Sequence, residues 1–79
     1  MSDMNELMET LEILQEDNSV PRNVRLKVEN AIIILKEEGD MKLKANKALQ
    51  ELDNLSDDPN VPSYVLPQIW NIVSLLEGF

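Results

Sequence analysis

The sequence contains no cysteine and no histidine among its 79 residues. Without cysteine the chain can form no disulfide, offers no thiolate nucleophile and supplies no sulfur ligand for a metal. Without histidine it lacks the general base most often used near neutral pH and the commonest ligand of transition metals. Because these absences remove most familiar catalytic and metal-binding chemistries, the sequence predicts a protein that is not an enzyme and carries no cofactor.

Aromatic residues, glycine and long apolar segments are also scarce. One Trp, one Tyr and one Phe leave the core to aliphatic side chains, and the two glycines form no phosphate-binding loop. The longest unbroken apolar run covers residues 31–35, whereas a helix needs roughly 20 apolar residues to cross a bilayer. The acidic N-terminal segment lacks the apolar stretch of a signal peptide. We therefore expect a soluble, cytoplasmic protein that makes no use of a membrane.

Positive charge is absent from both ends of the chain. Residues 1–21 carry six acids and residues 48–79 carry five, and neither segment contains a base. All seven Lys and Arg residues lie within 22–47, and the net charge is −8. Because an acidic chain repels phosphate backbones, nucleic acid is disfavoured as a partner. The basic segment 22–47 nevertheless keeps nucleic-acid binding as an alternative.

The chain does contain an internal repeat. A shift of 41 positions aligns residues 3–38 with residues 44–79 without a gap, and nine of the 36 aligned pairs are identical. The block Asp-x-x-Val-Pro-x-x-Val occurs in both copies. Repeats of this length indicate duplicated helical units. We expect a single domain, 1–79, that consists of two hairpin copies at roughly 3–38 and 40–79.

The first copy is predicted to be a helical hairpin. Leu7, Leu11 and Leu14 have the spacing of an apolar stripe on one face of a helix. The segment 17–19 (Asp-Asn-Ser) is typical of a turn, and Pro21 suits the first position of the next helix.

The second copy follows the same pattern. Asp40 is expected to cap a helix whose apolar stripe runs from Met41 to Leu55. Residues 56–60 form the turn, and Pro62 opens the last helix. Pro67 lies either in the first turn of that helix, where it is tolerated, or inside it, where it would cause a kink.

Two hairpins can bury their apolar stripes by packing face to face. Helical repeats of this period also stack into solenoids, but solenoids generally need three or more repeats to be stable. Two copies favour a closed arrangement. The sequence therefore predicts an all-α protein: an up-and-down four-helix bundle made of two tandem helical hairpins with pseudo-twofold internal symmetry.

Three segments carry a resemblance to a known family. They are 20–25 (Val-Pro-Arg-Asn-Val-Arg), 58–62 (Asp-Pro-Asn-Val-Pro) and 69–74 (Ile-Trp-Asn-Ile-Val-Ser). Together they resemble a family of short archaeal proteins catalogued as an uncharacterised protein family, and the similarity spans nearly the whole chain. The resemblance implies a compact four-helix bundle in a cytoplasmic archaeal protein, and it implies no activity. Pro67 departs from the family's pattern, and this departure concerns only the local geometry of the last helix.

Trp70 is the most informative single residue. Its counterpart in the first copy is Glu29, and Leu66 likewise replaces Arg25. Leu66, Trp70 and Val73 therefore form an additional apolar strip on the last helix. Either this strip widens the core where the bundle closes, or it is a partly exposed patch that contacts a partner or a second copy.

Three lysines in the predicted third helix are a second candidate site. Lys42, Lys44 and Lys47 can provide an electrostatic contact with RNA, with another anionic ligand or with an acidic partner. They can equally complement the acidic first and last helices of the same molecule.

Three loop carboxylates are a third candidate. Asp17, Asp57 and Asp58 can in principle hold Mg²⁺ or Ca²⁺. Neither loop has the spacing of a dedicated calcium site, and aspartates in such turns also bond to their own backbone.

The leading functional prediction is a small protein–protein interaction or adaptor module, with an unidentified protein partner or with self-association. The alternative is a nucleic-acid-associated accessory protein that uses the segment 22–47. A metal-dependent hydrolase that uses the loop carboxylates is the least favoured of the three.

Overall fold

The computed structural model describes residues 3–53 and 55–79, apart from the side chain of Ser56. Within these ranges the chain forms four α-helices and two short 3-10 helices. The predicted domain also includes residues 1, 2 and 54, which lie outside the described part. The α-helices are α1 (Asp3–Glu16), α2 (Arg22–Lys36), α3 (Met41–Glu51) and α4 (Leu66–Glu77), and the 3-10 helices are Leu55–Asp57 and Ser63–Val65.

The α-helices close into an up-and-down bundle. α1 packs against α2 and α4, and α3 packs against the same two helices. The described residues measure 33 × 23 × 19 Å along their principal axes. The predicted all-α class and the four-helix bundle are therefore confirmed. None of the helices in the described ranges is long and apolar enough to cross a membrane.

The core repeats with the same 41-residue spacing as the sequence. Among the described residues, sixteen of the eighteen buried apolar side chains form eight pairs at this spacing. No buried residue in that part of the chain is polar or charged. The hydrophobic effect on one set of aliphatic side chains therefore holds the two hairpins together. The pairs are Leu7/Ala48, Leu11/Leu52, Leu14/Leu55, Val20/Val61, Val24/Val65, Val28/Ile69, Ala31/Ile72 and Leu35/Leu76.

The third helix is shorter than its apolar stripe. The stripe reaches Leu55, whereas α3 ends at Glu51 and Leu55 lies in a 3-10 helix. The chain tightens here, since the Leu55 N–H donates to the Leu52 carbonyl at 3.4 Å, three residues back. Leu55 is still buried, so the 3-10 helix keeps the stripe continuous after α3 has ended.

Pro67 lies in the first turn of α4. The Val65 N–H donates to the Pro62 carbonyl at 3.0 Å, which closes the 3-10 turn that precedes the helix. Because α4 begins only at Leu66, the missing N–H of Pro67 removes no intrahelical hydrogen bond. Of the two positions that the sequence allows for this proline, the tolerated one is correct.

The connection between the two hairpins combines a left-handed backbone with a helix cap. Gly39 has a φ of +132°, a conformation that residues with a Cβ rarely adopt. Asp40 then accepts a hydrogen bond from the Leu43 N–H at 3.3 Å, so its predicted role as the cap of α3 is confirmed.

Truncation of paired core residues should destabilise the bundle to a similar extent in both hairpins. We expect Leu11→Ala and Leu52→Ala each to lower the free energy of unfolding by about 2–5 kcal/mol, because both leave a cavity in the same core. Urea denaturation monitored by circular dichroism measures this. Leu43→Ala is the control, since Leu43 is 62% exposed and should cost less than about 0.5 kcal/mol. Equal costs at Leu11 and Leu43 would contradict the assigned core.

Candidate functional site

A shallow groove runs between α3 and α4 on the outer side of the second hairpin. Its volume is about 570 Å³. Buried Leu52 and Ile69 and half-buried Leu49 and Val73 form its apolar floor. Trp70 forms one wall, and 57% of its surface is exposed. The groove therefore places a large aromatic side chain in solvent beside an apolar floor. We call it the α3/α4 groove.

The exposure of Trp70 follows from the packing of α4. Ile69, Ile72 and Leu76 define the buried face of this helix, and Trp70 lies about 100° around the helix from Ile69. Its counterpart Glu29 is also exposed. The interpretation of Trp70 as part of the core is therefore wrong.

The other two residues of the predicted apolar strip are partly buried. Leu66 and Val73 pack against the core, and Val73 also lines the groove. Val73 and Trp70 are therefore brought together at one groove, whereas Leu66 lies beside it. The assignment of the three residues to an interface stays a prediction.

The rim of the α3/α4 groove is acidic. Asp53, Asp57 and Glu77 line it and are exposed, and no Lys or Arg is among the described residues that line it. Sequence reasoning did not connect these carboxylates with Trp70. The relevant signal is the complete lack of bases in residues 48–79, which carry five acids.

A second groove, on the first hairpin, has a different character and shares only the position of Glu29 and Trp70 with the α3/α4 groove under the 41-residue shift. It lies between α1 and α2, holds about 380 Å³, and is lined by Arg22, Arg25 and Glu29 among others. The Arg25 Nε donates to the Val20 carbonyl at 3.1 Å, so this guanidinium is fixed against its own hairpin. In the second hairpin Leu66 stands at the position of Arg25. One groove thus contains its own cations, and the other lacks them.

The three candidate lysines do not form one surface. The Lys44 Nζ donates to the carbonyls of Glu37 at 2.7 Å and Leu35 at 3.4 Å, where it satisfies the end of α2. Lys42 and Lys47 are exposed. At 3.6 residues per turn, Lys42 and Lys44 point about 200° apart around α3. The structure therefore separates Lys42 from Lys44 and Lys47, which line one groove together, and a joint electrostatic contact of all three stays a prediction.

Two of the loop aspartates stabilise their own turns. Asp17 Oδ1 accepts the Ser19 N–H at 2.9 Å, and Asp58 Oδ1 accepts the Asn60 N–H at 2.9 Å. The turn chemistry expected for these aspartates is confirmed at both positions. Among the described residues, no group of three or more His, Cys, Asp or Glu side chains is arranged to hold a metal ion.

The same two aspartates also join the hairpins reciprocally. The Tyr64 hydroxyl donates to Asp17 Oδ2 at 2.8 Å, and the Asn23 amide donates to Asp58 Oδ2 at 3.3 Å. Positions 23 and 64 are related by the 41-residue shift, as are 17 and 58, so the two bonds are pseudo-symmetric. Sequence comparison missed this pair because Asn and Tyr share little beyond the ability to donate a hydrogen bond.

A second pair of bonds links the hairpins along the bundle. The Asn30 amide donates to Glu51 at 3.0 Å, and the Asn71 amide donates to Glu6 at 3.2 Å. Both asparagines are exposed and each reaches the other hairpin. The repeated asparagine therefore has the same use in both copies.

The hydrogen bond between Tyr64 and Asp17 affects the titration of both groups. The Tyr64 hydroxyl, helped by the Ser19 N–H and the charge of Arg25, lowers the pKa of Asp17 below its ordinary value of 3.8. The same bond raises the pKa of Tyr64 above 10.0, because loss of its proton would place two negative oxygens together. The folded state therefore favours the Asp17 carboxylate and the neutral Tyr64 hydroxyl.

Comparison with known proteins gives a consistent family. The profile described as Uncharacterised protein family (UPF0147) matches residues 1–79. A UPF0147 protein of Methanothermobacter thermautotrophicus is 39% identical over 75 residues, which cover 94% of this chain and 74% of the relative. The UPF0147 protein of Archaeoglobus fulgidus is 38% identical over 74 residues, with 94% and 85% covered.

Two crystal structures share the fold. One comes from the same family in Thermoplasma acidophilum: it is 34% identical, has a TM-score of 0.88, and covers 96% of this chain and 91% of that one. The other is a protein of unknown function that is 40% identical, also with a TM-score of 0.88, and covers 98% of this chain and 89% of that one.

Tyr64→Phe should destabilise the protein in a pH-dependent way. The lowered pKa of Asp17 contributes stability that is fully present above about pH 4 and is lost as the pH falls through the folded-state value. The raised pKa of Tyr64 contributes stability that is present below pH 10.0 and is lost as the pH rises through its folded-state value. We expect the urea midpoint of the variant to lie below that of the natural protein between about pH 5 and 9.

The difference between the two midpoints should shrink at both extremes of pH. The matched control is Asn23→Ala, which removes the other reciprocal bond without a titrating donor. Its effect should persist at alkaline pH. A Tyr64→Phe effect that is constant from acid to alkali would contradict the assigned hydrogen bond.

Proposed function

The chain belongs to the uncharacterised protein family UPF0147, and we propose that it acts as a small protein-interaction module. Its docking surface is the α3/α4 groove. The observation that carries the proposal is the exposure of Trp70 beside the apolar floor of that groove. The role is one of binding without catalysis, and the cytoplasmic address expected from the sequence belongs to the same proposal.

Energetics favour a protein partner for an exposed tryptophan in such a groove. A buried aromatic side chain removes 150–250 Å² from water, so covering the exposed part of Trp70 removes roughly 100 Å². At about 25 cal/mol per Å² this contributes about 2.5 kcal/mol to binding. Tryptophan is also enriched among the residues that dominate protein interfaces.

The surroundings of Trp70 distinguish it from the other exposed apolar residues. Leu43 is equally exposed but lies among charged and polar side chains of α3 and of the preceding loop. Single apolar residues on a surface need no functional explanation. Trp70 instead lies beside the apolar floor of the α3/α4 groove, in which Leu49 and Val73 are themselves only half-buried.

The nucleic-acid alternative gains no support from a specific contact. Lys44 is used to satisfy carbonyl groups at the end of α2, and Lys42 points away from the side of α3 that carries Lys44 and Lys47. The loop carboxylates Asp17 and Asp58 are bonded to backbone and to the opposite hairpin, which leaves the hydrolase hypothesis without an assembled site.

Trp70→Glu should separate the fold from the function. The variant should remain folded and lose less than about 1 kcal/mol of stability, because the site is exposed and its counterpart is already Glu29. It should nevertheless lose the partner. Affinity capture of tagged protein from extracts of its native cells, after nuclease treatment, measures this by mass spectrometry.

Ile33→Glu is the matched control. Ile33 is 53% exposed, close to the value for Trp70, but lies on α2 in the first hairpin. A stoichiometric protein that survives nuclease, is lost with Trp70→Glu and is retained with Ile33→Glu supports the proposal. Loss of more than about 3 kcal/mol of stability in Trp70→Glu, or capture of the same proteins by both variants, contradicts it.

A further inference from the structure

We infer that the occupant of the α3/α4 groove is a basic amphipathic segment of another protein, with an arginine over the indole of Trp70 and an aliphatic side chain on the apolar floor. This inference rests on the proposed function and deepens it by naming the partner's chemistry. It starts from the difference between the α3/α4 groove and the groove of the first hairpin, which meet at the equivalent positions of Trp70 and Glu29.

The first hairpin fills its own groove with cationic side chains. Arg25 lies against α2 with its Nε bonded to the Val20 carbonyl, and Arg22 lines the same groove. Glu29 balances part of their charge. The groove of this hairpin therefore holds charges of both signs, and it has Glu29 instead of a large apolar residue at the position of Trp70.

The second hairpin has the opposite composition. Leu66 and Ser63 replace the two arginines, and Trp70 replaces Glu29. Glu77, which lines the α3/α4 groove, stands at the position of Lys36 in the first copy. The α3/α4 groove combines an exposed indole with carboxylates and lacks any cation among the described residues that line it.

A guanidinium matches both features of this groove. It stacks on the face of a tryptophan through a cation–π interaction. It also forms paired hydrogen bonds with carboxylates, and Asp57 and Glu77 of the groove lining can accept such bonds. The apolar floor of Leu49 and Val73 then accommodates one aliphatic side chain of the same segment. An amphipathic helix with basic and aliphatic residues meets these requirements in one element.

Charge disfavours the other classes of occupant. Nucleic acids and anionic membrane surfaces carry negative charge towards an acidic rim. A second copy carries a net charge of −8 and repels the first. The basic groove of a second copy also lies on the opposite side of its own bundle from the α3/α4 groove. A contact between the two kinds of groove would therefore be head-to-tail, and a row of copies joined in this way would keep one unfilled groove at each end. A basic segment from a different protein avoids both difficulties.

Isothermal titration calorimetry tests this with a defined probe. The probe is a synthetic amphipathic helix with arginine on one face and leucine on the other, and its control carries glutamate in place of arginine. The arginine peptide should bind the intact protein, and the glutamate peptide should not. An increase from about 50 to 500 mM salt should weaken binding, because the exposed rim charges are screened.

Variants identify the site of binding. Asp57→Asn combined with Glu77→Gln should raise Kd at least about threefold, and Trp70→Ala should raise it at least about fivefold. Glu9→Gln combined with Glu16→Gln is the matched control, since it removes the same charge from exposed positions of α1. This control should change Kd less than about twofold.

Three results would overturn the inference. They are no binding of the arginine peptide, equal binding of the glutamate peptide, and equal weakening by the two double variants. A Trp70-dependent dimer in sedimentation that the peptide does not dissociate would also overturn it, because the occupant would then be a second copy. If the capture experiment meanwhile yields a Trp70-dependent protein, the proposed function stands and only the chemistry assigned to the partner is wrong.

Discussion

Burial of one shared set of aliphatic side chains is the constraint on which the rest of this structure depends. Leucine, isoleucine, valine and alanine fill the interior, and no aromatic, polar or charged residue is buried in the described part of the chain. Each hairpin contributes equivalent positions to this core. The two hairpins contact each other where α1 packs against α4 and where α2 packs against α3. Because a single hairpin would leave its stripe in water, the two copies stabilise each other.

This constraint fixes the inward positions and leaves the outward ones free to differ. The changes Arg25/Leu66, Glu29/Trp70 and Lys36/Glu77 all lie on one flank of the repeat, beside its groove. They remove two cations from this flank and add an exposed indole and a carboxylate. The reciprocal hydrogen bonds at the loop end repeat in both copies despite different donors. The symmetric features thus serve the fold, and the asymmetric ones provide the candidate docking surface.

The fold could be predicted because its pattern occurs twice and needs only helical spacing to interpret. The exposure of Trp70 could also have been predicted, since its equivalent position in the first copy is occupied by Glu29, a charged residue. The acidic rim could not, because Asp57 reaches the groove through a 3-10 helix and Glu77 through the last turn of α4. The bond from Tyr64 to Asp17 depends on a loop geometry that sequence comparison does not supply. The divergence of Lys42 and Lys44 around α3 follows from their spacing alone.

The central claim is that Trp70 stands in solvent within an acidic groove, and collisional quenching of its fluorescence tests this most directly. The chain has one tryptophan, so the whole signal comes from this site. In the folded protein we expect strong quenching by neutral acrylamide. We also expect the ratio of quenching by the cation Cs⁺ to quenching by the anion I⁻ to be higher in the folded protein than in the urea-unfolded chain. High salt should lower the caesium-to-iodide ratio of the folded protein towards that of the unfolded chain, because the rim charges are screened. Protection of Trp70 from acrylamide in the folded state would contradict the account, as would a caesium-to-iodide quenching ratio no higher than that of the unfolded chain.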